Sequence, residues 1–146
     1  MTTIAWDGKT LAADGQVTIG DSGIMTLKRQ KIFKKVGIFD VLAFAGSLEP
    51  VDKFLAWARN PEEGEPPEGE YTVIYAIGGN LAFSHMSTPI INAVTIGKGE
   101  IDAWGSGSQF ALGAMHAGKT AIQAVNIAIK CDAFTGGKVR SVRVVK

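Results

Sequence analysis

Cysteine is almost missing from this chain of 146 residues, which contains only Cys131. A single cysteine excludes a disulfide within the chain and suits a reducing compartment, so a cytoplasmic location is predicted. Histidine is scarce as well, since only His85 and His116 are present. Their spacing from each other and from Cys131 is not that of a zinc site, and no metal or other cofactor is predicted.

An excess of charge of either sign is also missing. Fifteen Lys and Arg residues stand against 14 Asp and Glu residues, which gives a net charge of +1. The sequence has no arginine-rich run and no interleaving of aromatic with basic residues. A nucleic-acid partner is therefore not predicted.

Long apolar runs are absent too. No run approaches the roughly 18 residues that a membrane-spanning helix requires. The first twenty residues lack a basic stretch followed by an apolar one, so no signal peptide is predicted. With 46% hydrophobic and 20% charged residues, the chain is predicted to form one soluble domain over residues 1–146, without a membrane partner.

The order of the apolar patterns predicts an α+β domain. Short β-prone runs fill the first half, and alanine-rich runs with helical spacing follow Gly105. The predicted elements are a hairpin turning at Asp7-Gly8, strands at 31–36 and 41–46, a helix at 50–60, a hairpin at 71–85 turning at 78–80, one or two strands within 89–105, two helices within 110–134 and a strand at 138–146. The acidic segment PEEGEPPEGE, residues 61–70, is predicted to be a solvated loop.

The two helices predicted within 110–134 are expected to meet at Gly118, with Thr120 as the N-cap of the second. Apolar residues lie around that second helix, at Ala121, Ile122 and Val125 among other positions. The spread of these residues predicts a helix that is buried on more than one side.

The segment GAMHAGKT, residues 113–120, matches the pattern G-x-x-x-x-G-K-[ST] of nucleotide-binding proteins. In that motif a buried strand leads into a glycine-rich loop whose N–H groups hold phosphates. The residues before the segment, GSGSQFAL, do not form such a strand, and residues 121–146 are too few for a doubly wound sheet. A turn between two helices is the favoured interpretation, and nucleotide binding is a distant alternative.

Thr2 offers a different chemistry. If Met1 is removed, Thr2 carries a hydroxyl and a free α-amine on neighbouring carbons, and the amine can serve as the base for its own hydroxyl. The ordinary pKa of an α-amine, about 7.7–8.0, lies near neutral pH and suits a general base. A small residue in second position allows removal of Met1, but a Met-Thr start alone is also typical of inert chains.

The start TTIAWDGKTLAADGQVTIG resembles the mature N-terminus of proteasome-type peptidases, especially the bacterial branch called the ATP-dependent protease proteolytic subunit. That branch begins with Thr-Thr and a strand, followed by an Asp-Gly-Gln-x-Thr-x-Gly turn. Four more motifs follow in the order of the family: QKIFKK, AFAGS, GSGSQFALGAM and CDAFTGG. The resemblance spans most of the chain apart from residues 47–75. It implies a four-layer α-β-β-α sandwich of the N-terminal nucleophile hydrolase type and hydrolysis of peptide bonds.

The resemblance also implies roles for individual residues. Thr2 is the expected nucleophile, Lys31 the cation beside it, and Asp14 the carboxylate that holds Lys31 in place. The backbone N–H of Gly46 is expected to face the oxyanion of the tetrahedral intermediate. A last group is expected to anchor the amine and a catalytic water: Ser106, Asp132 and Thr135.

Residues 47–75 differ from the pattern of the family, which has two long helices there. The sequence offers one short helix and the loop 61–70, so one helical layer is predicted to be reduced, with contact to another subunit covering the apolar sheet face. The expected partners are a peptide or polypeptide substrate and further copies of the chain. Because the missing helices join subunits in the family, a double ring and an ATPase unfoldase partner are left open. A catalytically inactive scaffold of the same fold is the alternative function.

Overall fold

The computed structural model describes residues 2–19, 23–87 and 93–144. Within them the chain forms eleven strands and three α-helices, and every strand pair with a described register is antiparallel. This confirms the predicted α+β class. The chain divides into two compact units: unit 1 comprises residues 1–32 and 98–146, and unit 2 comprises residues 33–97. The prediction of one domain over 1–146 stays a prediction.

Unit 1 contains a four-stranded sheet in the order β10-β1-β2-β11 and a two-stranded ribbon of β3 and β4. The bounds of these strands are Thr3–Trp6 (β1), Thr10–Ala13 (β2), Gln16–Ile19 (β3), Gly23–Lys28 (β4), Asp102–Gly105 (β10) and Arg140–Arg143 (β11). The chain from Gln16 to Ile19 is therefore a strand, whereas the sequence predicted a turn there. Gly20, the last residue of that predicted turn, lies outside the described residues.

The β1–β2 hairpin is confirmed, but its turn lies one residue later than predicted. Trp6 pairs with Leu11, and the backbone N–H of Asp7 donates to the carbonyl of Thr10 at 3.3 Å, so Gly8 and Lys9 occupy the centre. The Asp7 carboxylate accepts from the N–H groups of Lys9 and Thr10 at 3.0 and 2.8 Å. This side-chain contact makes Asp7 the first residue of the turn rather than a central one.

Two helices, α2 (Ser108–His116) and α3 (Ala121–Cys131), follow β10. The Thr120 hydroxyl accepts from the N–H of Gln123 at 3.2 Å, and the Gln123 side chain accepts from the N–H of Thr120 at 3.0 Å. This reciprocal pair is a capping box that starts α3. Residues 113–120 thus form the end of α2, a turn and the start of α3, as the helix–turn–helix interpretation predicted.

The fully buried face of α3 is built from small residues. Ala121, Ala124, Val125 and Ala128 are fully buried and belong to a core cluster with alanines of β1, β2 and α2. Ile127 and Ile129 are partly buried against the same cluster. Ile122 is 42% exposed, so the prediction of a wide apolar face is wrong at that residue.

Unit 2 contains a five-stranded sheet in the order β5-β6-β7-β8-β9. The bounds of its strands are Ile32–Val36 (β5), Phe39–Gly46 (β6), Tyr71–Ile77 (β7), Asn80–His85 (β8) and Val94–Thr95 (β9). The β7–β8 hairpin turns at Gly78-Gly79, within the predicted 78–80. These elements confirm the predicted strands at 31–36 and 41–46 to within two residues.

One α-helix, α1 (Val51–Arg59), packs on the sheet of unit 2. Its Phe54 meets Phe44 of β6 edge to face at a centroid distance of 5.3 Å. A short 3₁₀ turn at Pro61–Glu63 follows, and the indole N–H of Trp57 donates to the carbonyl of Gly64 at 3.0 Å. All glutamates of the loop 61–70 are exposed. The predicted helix and the solvated loop are both confirmed, and α1 is the only α-helix between residues 47 and 70.

Candidate active site

The site in unit 1 is organised around the carboxylate of Asp14, which is 1% exposed. Pairing of β1 with β2 brings Asp14, one residue beyond β2, opposite Thr3, and the Asp14 N–H donates to the Thr3 carbonyl at 3.2 Å. Asp14 Oδ1 accepts from the Thr2 hydroxyl at 2.6 Å and from the Thr3 N–H at 3.0 Å. Asp14 Oδ2 accepts from the Gly136 N–H at 3.0 Å. Both carboxylate oxygens are thus satisfied without water.

Lys31 forms a buried ion pair with Asp14. Its Nζ lies 2.8 Å from Asp14 Oδ1, and both side chains are fully shielded from solvent. The same Nζ donates to the Gln16 carbonyl at 2.6 Å. Burial lowers the pKa of Lys31, while the charge and the hydrogen bond of Asp14 act in the opposite direction. The position of Lys31 directly before β5 sets its side chain against the same carboxylate that Thr2 contacts.

A second carboxylate cluster forms around Asp132, directly after α3. Asp132 Oδ2 accepts from the Ser106 hydroxyl at 2.7 Å and from the Thr135 hydroxyl at 2.5 Å. Asp132 Oδ1 accepts from the Phe134 N–H at 3.2 Å. Partial burial acts to raise the pKa of Asp132, these hydrogen bonds act to lower it, and the pKa lies below its ordinary value. Hydrogen bonds to the charged form of a carboxylate have this effect.

Thr3 joins the two carboxylate clusters, and the sequence did not predict that role. Its N–H donates to Asp14, and its hydroxyl lies 2.7 Å from the hydroxyl of Thr135. Because Thr135 donates its own proton to Asp132, Thr3 must donate to Thr135. A continuous chain of hydrogen bonds therefore runs from Lys31 through Asp14 and Thr3 to Asp132.

Gly107 makes room for this chain of hydrogen bonds. A Cβ at that position would lie 2.1 Å from the Thr3 hydroxyl oxygen and 2.9 Å from that of Thr135. Any larger residue would displace one of the two threonines. The signal in the sequence was the GSGS segment before α2, from which no role for Gly107 was predicted.

The structure brings six of the seven predicted site residues together in unit 1: Thr2, Asp14, Lys31, Ser106, Asp132 and Thr135. The seventh, Gly46, lies in unit 2 at the end of β6, paired with Tyr71. Its expected role at the oxyanion stays a prediction, as do the catalytic roles of the other six. Met1, whose removal the mechanism requires, lies outside the described residues.

The arrangement can hold a threonine hydroxyl in a fixed orientation beside a buried cation. Preorganised polar groups of this kind stabilise charge that develops during a reaction. No group of three or more His, Cys, Asp or Glu side chains that would suit a metal ion occurs in the described ranges 2–19, 23–87 and 93–144. Among the helices of these ranges, none has the length and apolar character that would let it cross a membrane.

Known structures share the fold of this chain. No protein-family model and no curated protein match the sequence. The structure of Thiobacillus denitrificans BPH superimposes with a TM-score of 0.66 at 21% sequence identity, over 97% of this chain and 96% of that chain. The complex of the same protein with epoxomicin matches with the same values. The agreement over nearly the whole length shows a common fold, and at this identity it shows the fold alone.

Proposed function

We propose that this protein is a proteasome-type threonine peptidase that cleaves peptide bonds through Thr2 after removal of Met1. The observation that supports this most directly is the contact of the Thr2 hydroxyl with the buried Asp14–Lys31 pair. A buried lysine and aspartate cost free energy to desolvate even when they are paired. Their position beside a threonine hydroxyl is accounted for by catalysis at that hydroxyl.

In the proposed reaction the Thr2 oxygen attacks the carbonyl carbon of the scissile bond, and its proton passes to the free amine of Thr2. The carbon–nitrogen bond then breaks, and the departing amine takes up that proton. The product is an ester between Thr2 and the acyl part of the substrate, and water hydrolyses this ester in a second step. Lys31 stabilises the developing negative charge, and Asp14 orients Lys31.

The second carboxylate cluster is proposed to hold the amine and the attacking water. Ser106 and Thr135 fix one oxygen of Asp132 from two sides. Since the pKa of Asp132 is lowered, this carboxylate is charged at neutral pH and can accept hydrogen bonds from an ammonium group or from water. Thr3 couples this cluster to the first.

The fold adds a chemical reason for the proposal. The protein with the shared fold has been solved with epoxomicin, a proteasome inhibitor. An epoxyketone of this kind reacts with both the hydroxyl and the free amine of an N-terminal threonine. The same reagent therefore tests the nucleophile and the removal of Met1 together.

The test is intact-mass measurement of the native protein before and after treatment with epoxomicin. We expect loss of Met1 and one inhibitor adduct on the wild type, none on Thr2→Ala, and an adduct on Thr2→Ser, which keeps the hydroxyl. Thr95→Ala is the matched control, because Thr95 is an exposed threonine of β9, and it should react like the wild type. Retention of Met1, or an adduct on Thr2→Ala, would contradict the proposal.

A catalytically inactive scaffold is the second candidate. The observation in its favour is that the Thr2 side chain is only 1% exposed, so a substrate cannot reach its hydroxyl without a change at the start of the chain. This candidate requires that the wild type forms no adduct, whether or not Met1 is removed.

A further inference from the structure

An apolar groove opens on unit 2 beside α1. Its volume is about 240 Å³, and it is lined by Phe39, Phe54, Trp57, Val73, Tyr75 and Ser84 with four further side chains. Two of those four, Ile38 and Ile77, are 65% and 41% exposed. Sites for drug-sized molecules are larger, roughly 300–1,000 Å³. The groove has the size for one large apolar side chain of a partner, the kind of pocket that holds an anchor residue.

Ser84 lies in the wall of the groove without giving it an accessible polar atom. Its side chain is 1% exposed, and its hydroxyl is buried with no hydrogen-bond partner among the residues that the structure describes. The surface that the groove offers to an occupant is therefore apolar, which suits an apolar side chain.

An acidic depression adjoins the groove. It has a volume of about 340 Å³ and is lined by Glu49, Glu68 and Glu70, one lysine (Lys53) and small or proline residues. Pro66 lines the groove and Pro67 lines the depression, so the two are neighbours along the loop 61–70. Three carboxylates against one ammonium favour a cationic group.

We propose that unit 2 binds a polypeptide segment in which a large apolar side chain stands next to a lysine or arginine. The apolar side chain fills the groove, and the basic side chain lies in the acidic depression. Apolar burial supplies affinity, and the charge contact supplies specificity. This binding does not depend on chemistry at Thr2.

The test measures binding of fluorescein-labelled hexapeptides to the full chain by fluorescence anisotropy. The probes are Gly-Gly-Phe-Lys-Gly-Gly, Gly-Gly-Phe-Glu-Gly-Gly and Gly-Gly-Ala-Lys-Gly-Gly. The protein carries Thr2→Ala, so that no probe is cleaved and failure here is distinct from failure of the proposed peptidase. We expect the Phe-Lys probe to bind at least about tenfold more tightly than the other two, since both pockets must be filled. Equal binding of the three probes, or no binding of the Phe-Lys probe, would overturn the proposal.

Two double variants test whether the lysine of the probe lies in the acidic depression. Glu68→Gln with Glu70→Gln should weaken binding of the Phe-Lys probe about fivefold, as expected for exposed ion pairs. The matched control is Glu62→Gln with Glu63→Gln, on the same loop but outside both pockets, and it should bind like the parent. Equal losses in both pairs would mean that the loop acts only through its net charge, and the proposed site would be wrong.

Two groove variants complete the test. Ser84→Ala is the control, because it removes only a hydroxyl that is unpaired and shielded from the groove, and it should bind the Phe-Lys probe like the parent. A several-fold loss of binding in this variant would mean that the probe does not occupy the groove as proposed. Ile38→Asp should weaken the probe without changing the molecular mass in light scattering. If the mass instead falls and no probe binds, a second copy of the chain occupies the groove and the proposal is wrong.

Discussion

At the scale of single residues, the candidate active site depends on the buried ion pair of Asp14 and Lys31. Replacing Lys31 with methionine keeps most of the side-chain volume but leaves the Asp14 carboxylate buried without its cation. Breaking a buried pair in this way costs about 3–5 kcal/mol. We expect the free energy of unfolding to fall by that amount in urea denaturation, together with loss of any peptidase activity.

Lys34→Met is the control for this substitution. Lys34 lies three residues further along the chain and is exposed, so its replacement should change the free energy of unfolding by less than about 0.5 kcal/mol. Equal free energies of unfolding for Lys31→Met and Lys34→Met would contradict the prediction. They would show that loss of the cation does not destabilise the buried Asp14 carboxylate.

The lowered pKa of Asp132 predicts a dependence of stability on pH. Its pKa in the folded chain lies below the ordinary value of 3.8, so between the two values the unfolded chain binds more protons. The stabilisation from ionised Asp132 is then fully present above 3.8 and is lost as pH falls through the folded-state pKa. We expect the difference in unfolding free energy between the wild type and Asp132→Asn to be constant above about pH 5 and to shrink at lower pH.

Urea denaturation at a series of pH values measures this difference directly. Asp102→Asn is the control, because Asp102 is a half-buried carboxylate of the same unit outside the cluster. A difference for Asp132→Asn that stayed constant down to pH 2 would show that the carboxylate gains nothing from Ser106 and Thr135 in its charged form.

The residues of the site differ in how far the sequence could predict them. Thr2, Asp14 and Lys31 stand in short motifs whose order along the chain carried the resemblance, and the structure brings them together. The role of Thr3 was not predicted, because neighbouring side chains of a strand point to opposite faces of the sheet. The Thr-Thr pair alone does not show which residues lie on each face. Gly136 was missed for a similar reason, since its N–H contact with Asp14 joins residues 122 positions apart.

At the scale of elements, the close approach of α1 to the β5–β6 turn leaves no room for a side chain at position 37. Gly37 has φ +57°, and a Cβ there would lie 1.9 Å from the Ala58 carbonyl oxygen of α1. Gly78 has nearly the same conformation, φ +60°, with nothing within 4 Å of its Cβ position. The two glycines therefore separate the cost of the backbone conformation from the cost of the contact.

We expect Gly78→Ala to lower the free energy of unfolding by about 1–2 kcal/mol, the cost of a left-handed residue with a side chain. Gly37→Ala should cost about 1–3 kcal/mol more, because α1 must move away from the turn. Urea denaturation of both variants measures the difference. Equal stability of the two would contradict the close approach of α1 to this turn.

The elements that the sequence predicted best carry local signals. Helix α3 has Thr120 as its N-cap and a glutamine three residues later, and the β7–β8 turn has two successive glycines. The exposure of Ile122 was not predictable in this way, because the width of a buried helix face depends on what packs against it. In unit 1 the partners are alanines of β1, β2 and α2, and Ile122 faces none of them closely enough to be buried.

At the scale of the whole molecule, the sequence predicts one domain over residues 1–146, while the chain divides into two compact units. Single domains below about 150 residues usually unfold in one cooperative transition. If the chain behaves in this way, a destabilising substitution in unit 2 must also lower the unfolding midpoint of unit 1. The three tryptophans allow this to be measured, because Trp6 and Trp104 lie in unit 1 and Trp57 lies in unit 2.

In a Trp57→Phe background, tryptophan fluorescence reports on unit 1 alone, whereas far-UV circular dichroism reports on the whole chain. Adding Gly37→Ala in unit 2 should shift the urea midpoints of both signals equally, because one cooperative transition has one midpoint. Lys31→Met in unit 1 is the matched reference. It should shift the midpoints of both signals whether the two units unfold together or independently. A fluorescence midpoint that Gly37→Ala leaves unchanged would show that the two units unfold independently, and the prediction of one domain would be wrong.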